Sequence, residues 1–437
     1  MDISTRKITF TFRFKSPDIS SLKLPGSKVT TLMDNKFRAS FGNIIDLLTE
    51  KVDYGVITIM DQYYDVPLIC FTFPDFQISP TLEDLERLLN RSIKEYNPFP
   101  KLVEGFCLTE LSLALGINSS KLVANWGIKG PIKGLTQKFL EAYAWEMLKE
   151  GIPNFFSATL SLFIHGIVLF PNIDKFVNHL AVKVFLTNNS VSFLLVDFYH
   201  TFHTRHEKKG YSFLYCAPLL HLLMRDRIPQ HGPFAQSTLT WPQKFASLSA
   251  NSIPWYKREW DTKEVIARCE GFPNVALIGT QGCINYNPTI LKIELGYAIL
   301  SPPEERDFIP FVVNTVDPLN SNMKRVQKAW INIVCIDQEW GKKNILAKEP
   351  YFVWVKERAR VVKISFLFYP SSFPLMPEPS LSYKRTLTSL PAKSKSLSWR
   401  IINYESNSIV PRNVTMSWKI RVNKFMKSSR ITRRSSE

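Results

Sequence analysis

The chain has 437 residues, of which 45% are hydrophobic and 21% are charged. This composition is typical of a folded protein and excludes collagen, coiled coil and wholesale disorder. The mean hydropathy is −0.07, and no uncharged apolar run reaches the ~18 residues that a spanning helix needs, so no membrane partner is expected. The net charge is +17, which favours acidic or polyanionic partners.

In the first third of the chain, a segment of mixed polar and apolar composition is followed by a segment whose apolar residues are spaced as in a helix. Residues 1–36 combine a short alternating apolar stretch with Ser, Pro and Lys, and they predict a loosely ordered amino-terminal arm. From residue 37 the apolar spacing becomes helical. Residues 68–77 predict an extended aromatic segment, and Thr81, with Asp84 three positions later, predicts the capped start of a helix.

The middle of the chain has the clearest helical periodicity. Apolar residues at 139–148 recur at core-facing spacing, and Gly151 predicts the end of that helix. Residues 155–170 are apolar nearly all round and too short to span a bilayer, so they predict a buried central helix. Further helices are predicted at residues 176–185, 192–207 and 212–226.

The later part of the chain is interrupted by prolines after Pro229. Asp261 and Glu264 resemble a capping box and predict a helix ending near residue 271, followed by an extended segment at residues 272–288. Short helices are predicted at 288–295, 321–335 and 349–360. The predicted fold class is therefore mainly α: a single large helical array around a hydrophobic central helix, occupying residues 37–365, with short extended segments.

Positive charge is concentrated beyond that array. Residues 371–437 hold 13 Lys and Arg against three acidic residues, a net charge of +10, which leaves +7 for residues 1–370. Residues 366–437 are rich in Ser, Pro and Lys and predict a disordered basic tail. Such a tail attracts nucleic acid non-specifically by counterion release or is read by nuclear import receptors, whereas the alternative is a solvated tail without a specific partner. The candidate tail residues are Lys424, Lys427, Arg430, Arg433 and Arg434.

The six cysteines lie far apart and form no C-x-x-C pair, so a zinc ribbon or a thioredoxin motif is excluded. The amino terminus has no apolar signal-peptide region, which predicts a protein that is not secreted and whose thiols are reduced, mostly as small buried hydrophobes.

One histidine cluster suggests a metal site. His200 and His203 share a face of a predicted helix, while His206 points away, and a third ligand would come from Glu207, Cys216 or a distant residue. The alternative is a polar helix end whose histidines complement the helix dipole. We prefer this alternative and predict no metal and no cofactor.

Other chemistries have weaker support. The turn between Gly279 and Gly282 matches neither G-x-G-x-x-G nor the P-loop pattern, so a tight turn is the better interpretation than a nucleotide site. Cys283 beside it lacks a Cys-His signature and is interpreted as a buried thiol. No G-x-S-x-G, H-E-x-x-H or paired-carboxylate motif indicates a hydrolase. The tryptophans are spread through the chain and not interleaved with basic residues, so packing in the core is a better interpretation than a surface that stacks on nucleic-acid bases.

Four stretches together resemble the plant mobile domain, also called aminotransferase-like, and a related domain of unknown function multiplied in legume-type plant genomes. The resemblance extends over about residues 37–360. The four stretches are residues 70–89 (CFTFPDFQISPTLEDLERLL), 167–171 (IVLFP), 203–209 (HTRHEKK) and 277–288 (LIGTQGCINYNP). The resemblance implies a helical domain associated with mobile elements, with relatives that act in the nucleus. It carries over no catalytic residue, and no lysine context for pyridoxal phosphate is recognisable.

These observations predict a non-enzymatic interaction module derived from a mobile element, with protein partners. The predicted location is nuclear, otherwise cytoplasmic. Two alternatives stay open. The first is a metal-dependent hydrolase or nuclease that uses His200 and His203. The second is a decayed, non-functional copy, because the segment after residue 365 departs from the charged helical continuation expected of the family.

Overall fold

A computed structural model describes residues 17–93, 108–208, 213–229, 231–255, 264–317, 319–336, 340–341 and 349–361. The chain divides into two units, Met1–Phe366 and Leu367–Glu437, and every described residue belongs to the first. The predicted basic tail therefore lies outside the described residues, together with its candidates Lys424, Lys427, Arg430, Arg433 and Arg434.

The described residues form a mainly helical fold with small antiparallel sheets. Its helices are α1 (Ser20–Leu32), α2 (Asp34–Phe41), α3 (Tyr54–Met60), α4 (Leu82–Leu89), α5 (Leu108–Leu115), α6 (Ser119–Asn125), α7 (Gln137–Lys149), α8 (Pro153–Ile164), α9 (His179–Thr187), α10 (Val191–Lys208), α11 (Ala217–Arg227), α12 (Trp241–Ala246), α13 (Ser321–Ala329) and α14 (Glu349–Val361). None of these helices is both long enough and apolar enough to cross a membrane.

The strands are short and lie between helices along the chain. They are β1 (Tyr64–Asp65), β2 (Cys70–Thr72), β3 (Gln77–Ile78), β4 (Trp126–Lys129), β5 (Ile132–Thr136), β6 (Phe176–Asn178), β7 (Val265–Cys269), β8 (Val275–Ile278), β9 (Cys283–Tyr286), β10 (Val312–Val313) and β11 (Ile333–Ile336). In the described residues they pair in the orders β1-β2-β3, β4-β5-β6, β8-β9-β10 and β7-β11.

Helix α1 lies inside the segment 1–36 that the sequence predicts to be a loosely ordered arm, and for residues from 20 onward this prediction is wrong. Pro25 and Gly26 give the segment the composition of a loop, since both disfavour a helix interior. In the structure, α1 buries Leu22 and Val29 completely. Burial of such side chains contributes roughly 1.5–3 kcal/mol each, which offsets the local propensity cost.

The predicted cap of α4 is confirmed. The backbone N–H of Asp84 donates to Thr81 Oγ1 at 3.2 Å, and the backbone N–H of Thr81 donates to Asp84 Oδ2 at 3.1 Å. The extended aromatic segment at 68–77 forms β2 and the start of β3. Because this reciprocal cap needs only residues three apart, the local sequence was sufficient to predict it.

The predicted helix at 139–148 corresponds to α7, and Gly151 beyond its end has a φ of +70°. The segment 155–170 forms α8 and continues as a π-helical turn, His165–Leu169. Both pieces are buried along most of their length. That the whole array is organised around α8 stays a prediction. Residues 176–178 form strand β6 instead of a first helical turn, because they pair with β5.

Two predicted helices in the later part of the chain differ from the structure: the helix predicted at 261–271 is wrong over its described residues, and the helix predicted at 321–335 is confirmed only as far as Ala329, where α13 ends. The described part of 261–271 contains strand β7, and the end of 321–335 contains strand β11. These strands pair with each other, with Ile333 opposite Cys269. Both segments are rich in β-branched residues, but the paired residues lie 64 to 71 positions apart, so local spacing could not identify the sheet. The predicted helix at 288–295 is reduced to a 3₁₀ turn, Lys292–Leu295.

Candidate functional site

The histidine cluster lies on the last turns of α10. His200 and His203 are both 5% exposed. His200 Nδ1 lies 3.2 Å from Thr204 Oγ1, and His203 Nε2 lies 3.3 Å from Glu207 Oε1. Burial lowers the pKa of His203, against the opposing effect of Glu207. Neutral imidazole is the metal-binding form, yet no group of three His, Cys, Asp or Glu that could hold a metal occurs in the part of the chain that the structure describes.

The two cysteines considered for chemistry are buried thiols. Cys216 precedes α11 and is fully buried, and burial raises its pKa to about 12. Burial likewise raises the pKa of Cys283 to about 12, and its Sγ contacts Met323 Sδ at 3.0 Å. Since the thiolate is the nucleophile and the metal ligand, neither side chain is in its reactive form at neutral pH. The interpretation of Cys283 as a buried thiol is confirmed.

The turn between β8 and β9 binds a carboxylate of its own chain. Thr280 donates its backbone N–H to Asp197 Oδ1 at 2.8 Å and its hydroxyl to Asp197 Oδ2 at 2.5 Å. The backbone N–H of Gln281 is a further donor to this carboxylate. Successive N–H groups in a turn form an anion-binding concavity. Here Asp197 of α10 occupies it, so the interpretation of this segment as a tight turn is the one that the structure supports.

Both glycines of this turn are required by close contacts. A Cβ on Gly279 would lie 2.4 Å from Val196 Cγ1 and 2.6 Å from Asp197 Oδ1. Gly282 has a φ of +153°, and a Cβ there would lie 1.8 Å from the carbonyl oxygen of Val313. Glycine therefore lets the turn approach α10 on one side and β10 on the other.

A polar cavity of about 130 Å³ lies beside this carboxylate. We call it the Asp197 cavity; its polar walls include Asp197, Asn178, Tyr215, Thr280 and Gln281. The first three are at most 4% exposed, and Tyr215 Oη has no hydrogen-bond partner among the described residues. At ~30 Å³ for each water molecule, the cavity has room for about four. It is therefore large enough for a small polar ligand.

Most buried carboxylates in the described part of the chain are paired with arginine. The pairs join helices and strands that are distant in sequence: Asp61 with Arg205 at 3.1 Å, Asp65 with Arg358 at 2.7 Å, and Asp84 and Glu294 with Arg227 at 2.7 and 3.4 Å. Sequence reasoning missed these pairs, because the partners are at least 67 residues apart along the chain and no local pattern marks them. Each arginine offsets part of the desolvation cost of its carboxylate, although burial still raises the pKa of Glu294 to about 8.

Asp197 and Glu83 differ from these four carboxylates, because neither has an arginine partner among the described residues. Burial raises the pKa of Asp197 to about 7, although the hydrogen bonds from Thr280 and Gln281 act in the opposite direction. Burial also raises the pKa of Glu83 to about 7. Only Asp197 of the two lines the cavity, which makes it the candidate binding carboxylate.

A comparison with protein families gives one match. A family described as a domain of unknown function, DUF7745, matches residues 22–360. No curated protein and no solved structure matches the chain. The matched span begins inside the predicted arm and includes α10, the β8–β9 turn and every wall of the Asp197 cavity. The candidate site thus lies within the family domain.

Proposed function

The chain belongs to the family of domains of unknown function DUF7745, and from this premise we propose that it is a non-enzymatic interaction module of the nucleus. The sequence resemblance to plant mobile domains supports an origin from a mobile element. In this proposal the folded unit binds protein partners, and the basic tail at residues 366–437 binds nucleic acid without sequence preference.

The distribution of charge carries the proposal. Of the net +17, residues 371–437 hold +10, and the other 370 residues hold the remaining +7. A dense run of Lys and Arg neutralises phosphates and releases their counterions, so its affinity falls steeply with salt. Such runs are also read by nuclear import receptors. Both properties belong to the same segment, so one deletion tests both.

The buried ionisable groups support a role without catalysis. Asp61, Asp65, Asp84 and Glu294 are each held by an arginine, and Cys216 has a raised pKa. The arginines offset part of the cost of burying these carboxylates, which are therefore engaged in contacts within the fold.

Deletion of residues 371–437 from the tagged protein tests the proposal. We expect loss of nuclear accumulation and loss of salt-sensitive retention on DNA, while the remaining unit keeps its thermal unfolding transition. If both nuclear accumulation and DNA retention persist, the tail has neither role and the proposal is wrong.

A charge-neutralised variant separates charge from length. It changes the five candidate tail residues to glutamine: Lys424, Lys427, Arg430, Arg433 and Arg434. Five lost phosphate contacts reduce the slope of log affinity against log salt by about 4.5 for duplex DNA. A matched control changes five exposed lysines of the folded unit instead: Lys23, Lys28, Lys36, Lys324 and Lys328. An equal reduction in the control would show that the tail is not the binding segment.

A second candidate function is metal-dependent hydrolysis. The observation that favours it is His203, whose Nε2 pairs with Glu207 while its Nδ1 has no hydrogen-bond partner among the described residues. Elemental analysis of the purified full chain tests it, with a His200→Gln/His203→Gln variant beside a control at the exposed His231. Metal at less than about a tenth of stoichiometric amount in the unchanged protein would contradict this function.

A further inference from the structure

The Asp197 cavity combines a buried carboxylate that has no arginine partner and a buried hydroxyl that has no hydrogen-bond partner, both among the described residues. In the part of the chain that the structure describes, the other buried carboxylates pair with arginine, except Glu83, which does not line this cavity. Tyr215 lines the cavity, and its buried Oη has no hydrogen-bond partner among the described residues. We propose that the Asp197 cavity binds the ammonium group of a small organic amine, which takes the place of the missing arginine.

The chemistry of the walls favours an ammonium over an anion or an apolar group. An ammonium has three N–H donors and no acceptor. The residues that line the cavity include three with oxygen acceptors, Asp197, Tyr215 and Gln281, whereas the amide oxygen of Asn178 already accepts from the Ala181 N–H at 2.7 Å. Each carboxylate oxygen already accepts from Thr280, and the Gln281 N–H is a third donor, which fixes the position of the carboxylate and leaves about one of its four lone-pair sites for the ligand.

The size of the cavity limits the ligand. Its volume of about 130 Å³ is that of a few water molecules, which suits an ammonium carrying a short alkyl chain. Asn172, a further wall residue, is exposed, so the cavity opens towards solvent there. A longer alkyl chain would extend out of the cavity into solvent on that side.

Ligand binding is expected to depend on pH through Asp197. The titratable wall residue besides Asp197 is Tyr215, whose pKa burial raises well above its ordinary value. The elements packed on α10 bring Glu83 and Asp84 from α4 and Tyr286 from β9, while the pKa of Asp197 is governed by burial and by the hydrogen bonds from Thr280 and Gln281. An ammonium needs the ionised carboxylate. With a pKa of about 7, ionisation and therefore affinity rise roughly tenfold from pH 6 to pH 8.

Calorimetric titration of the full-length protein with ethylammonium chloride tests the proposal. Alkylammonium groups stay charged over this pH range, so the tenfold rise reports on the protein. Ethanol serves as the uncharged probe of similar size, and potassium chloride as the inorganic cation. We expect ethylammonium to bind more tightly than either. Equal binding of ethanol or potassium, or an affinity that does not change with pH, would overturn the proposal.

Two substitutions locate the binding. Asp197→Asn removes the charge with almost no change of shape, and we expect it to reduce affinity at pH 8 by tenfold or more. Glu83→Gln is the matched control, because it removes the other buried carboxylate of similar pKa outside the cavity. Unchanged affinity in Asp197→Asn would contradict the proposal, as would equal loss in Glu83→Gln.

A third substitution keeps the test valid if Asp197→Asn fails to fold. Tyr215→Phe leaves the turn contacts of Asp197 intact and removes only the hydroxyl without a partner. We expect weaker ethylammonium binding with an unchanged thermal unfolding midpoint. Unchanged affinity in a folded Tyr215→Phe variant would count against the cavity as the site. None of these results depends on the basic tail, so failure here leaves the proposed function untouched.

Discussion

Arg227, at the end of α11, tests whether buried ion pairs hold the helices together. Its guanidinium is 6% exposed and lies 2.7 Å from Asp84 Oδ1 on α4 and 3.4 Å from Glu294 Oε2. It also donates to the carbonyl oxygen of Trp255 at 3.0 Å. The side chain therefore joins α11 to α4 and to the 3₁₀ turn Lys292–Leu295.

Replacing Arg227 by methionine keeps most of the volume and removes the charge. The substitution leaves Glu294 without its cation and leaves Asp84 with only the more distant Arg87, at 3.6 Å, and breaking a buried pair in this way costs about 3–5 kcal/mol. Protonation relieves part of this cost, because burial raises the pKa of Glu294 to about 8 even with Arg227 present. We expect a loss near 3 kcal/mol at pH 7, a large share of the ~5–15 kcal/mol typical of a folded domain.

Urea denaturation followed by tryptophan fluorescence measures this loss. Arg225→Met is the matched control on the same helix, because the Arg225 side chain is 52% exposed and pairs with Glu50 at 3.2 Å. Glu50 is 12% exposed and also contacts His221 at 2.7 Å, so it keeps a partner in Arg225→Met, and a pair whose cation lies in solvent contributes about 1 kcal/mol or less. Adding Asp84→Asn and Glu294→Gln to Arg227→Met should restore part of the stability. Equal losses in Arg225→Met and Arg227→Met, or no recovery in the triple variant, would refute the reasoning.

Two further predictions concern the folded unit. Burial raises the pKa of Glu83 and Asp197 above their unfolded values, to about 7, so the folded state binds these protons more tightly. The resulting contribution to the free energy of unfolding is present below about pH 4 and is lost as pH rises through 7, by on the order of 3 kcal/mol for each group. Urea denaturation at pH 5 and pH 8.5 should show a smaller loss of stability in Glu83→Gln than in the unchanged protein. An equal loss in the two proteins would contradict the assignment. In Gly282→Ala the added Cβ meets the carbonyl oxygen of Val313, and we expect a lower thermal unfolding midpoint. The decrease should be much larger than in Gly130→Ala, because Gly130 also has a positive φ but a Cβ there meets no other atom. Equal midpoints would show that this contact does not matter.

The helices predicted most accurately are those whose signals are local. Thr81 and Asp84 define the start of α4, and Gly151 follows α7 with the positive φ expected of a helix end. Both signals depend on residues within a few positions of each other. Strands β7 and β11 were missed because each is defined by the other, and α1 was missed because its buried face outweighs Pro25.

The candidate site was only partly accessible from sequence. The spacing of Gly279 and Gly282 indicated a tight turn, but nothing local indicated that this turn receives Asp197 from a helix 83 residues earlier. The histidines attracted attention because three of them lie close in sequence, yet His203 pairs with Glu207 on its own helix. The close spacing of the histidines suggested a site on α10, whereas no local spacing marked the contact of Asp197 with the β8–β9 turn.

The sequence alone determined the mainly helical class, the capped helix boundaries and the concentration of charge after residue 371, because each follows from composition or from contacts within a helical turn. The tertiary structure decided which carboxylates receive an arginine, which strands pair and where a cavity is left beside Asp197. Those features arise where distant segments meet. Their free energies depend on burial and on the partner across the contact, and neither is encoded in the neighbouring residues of the chain.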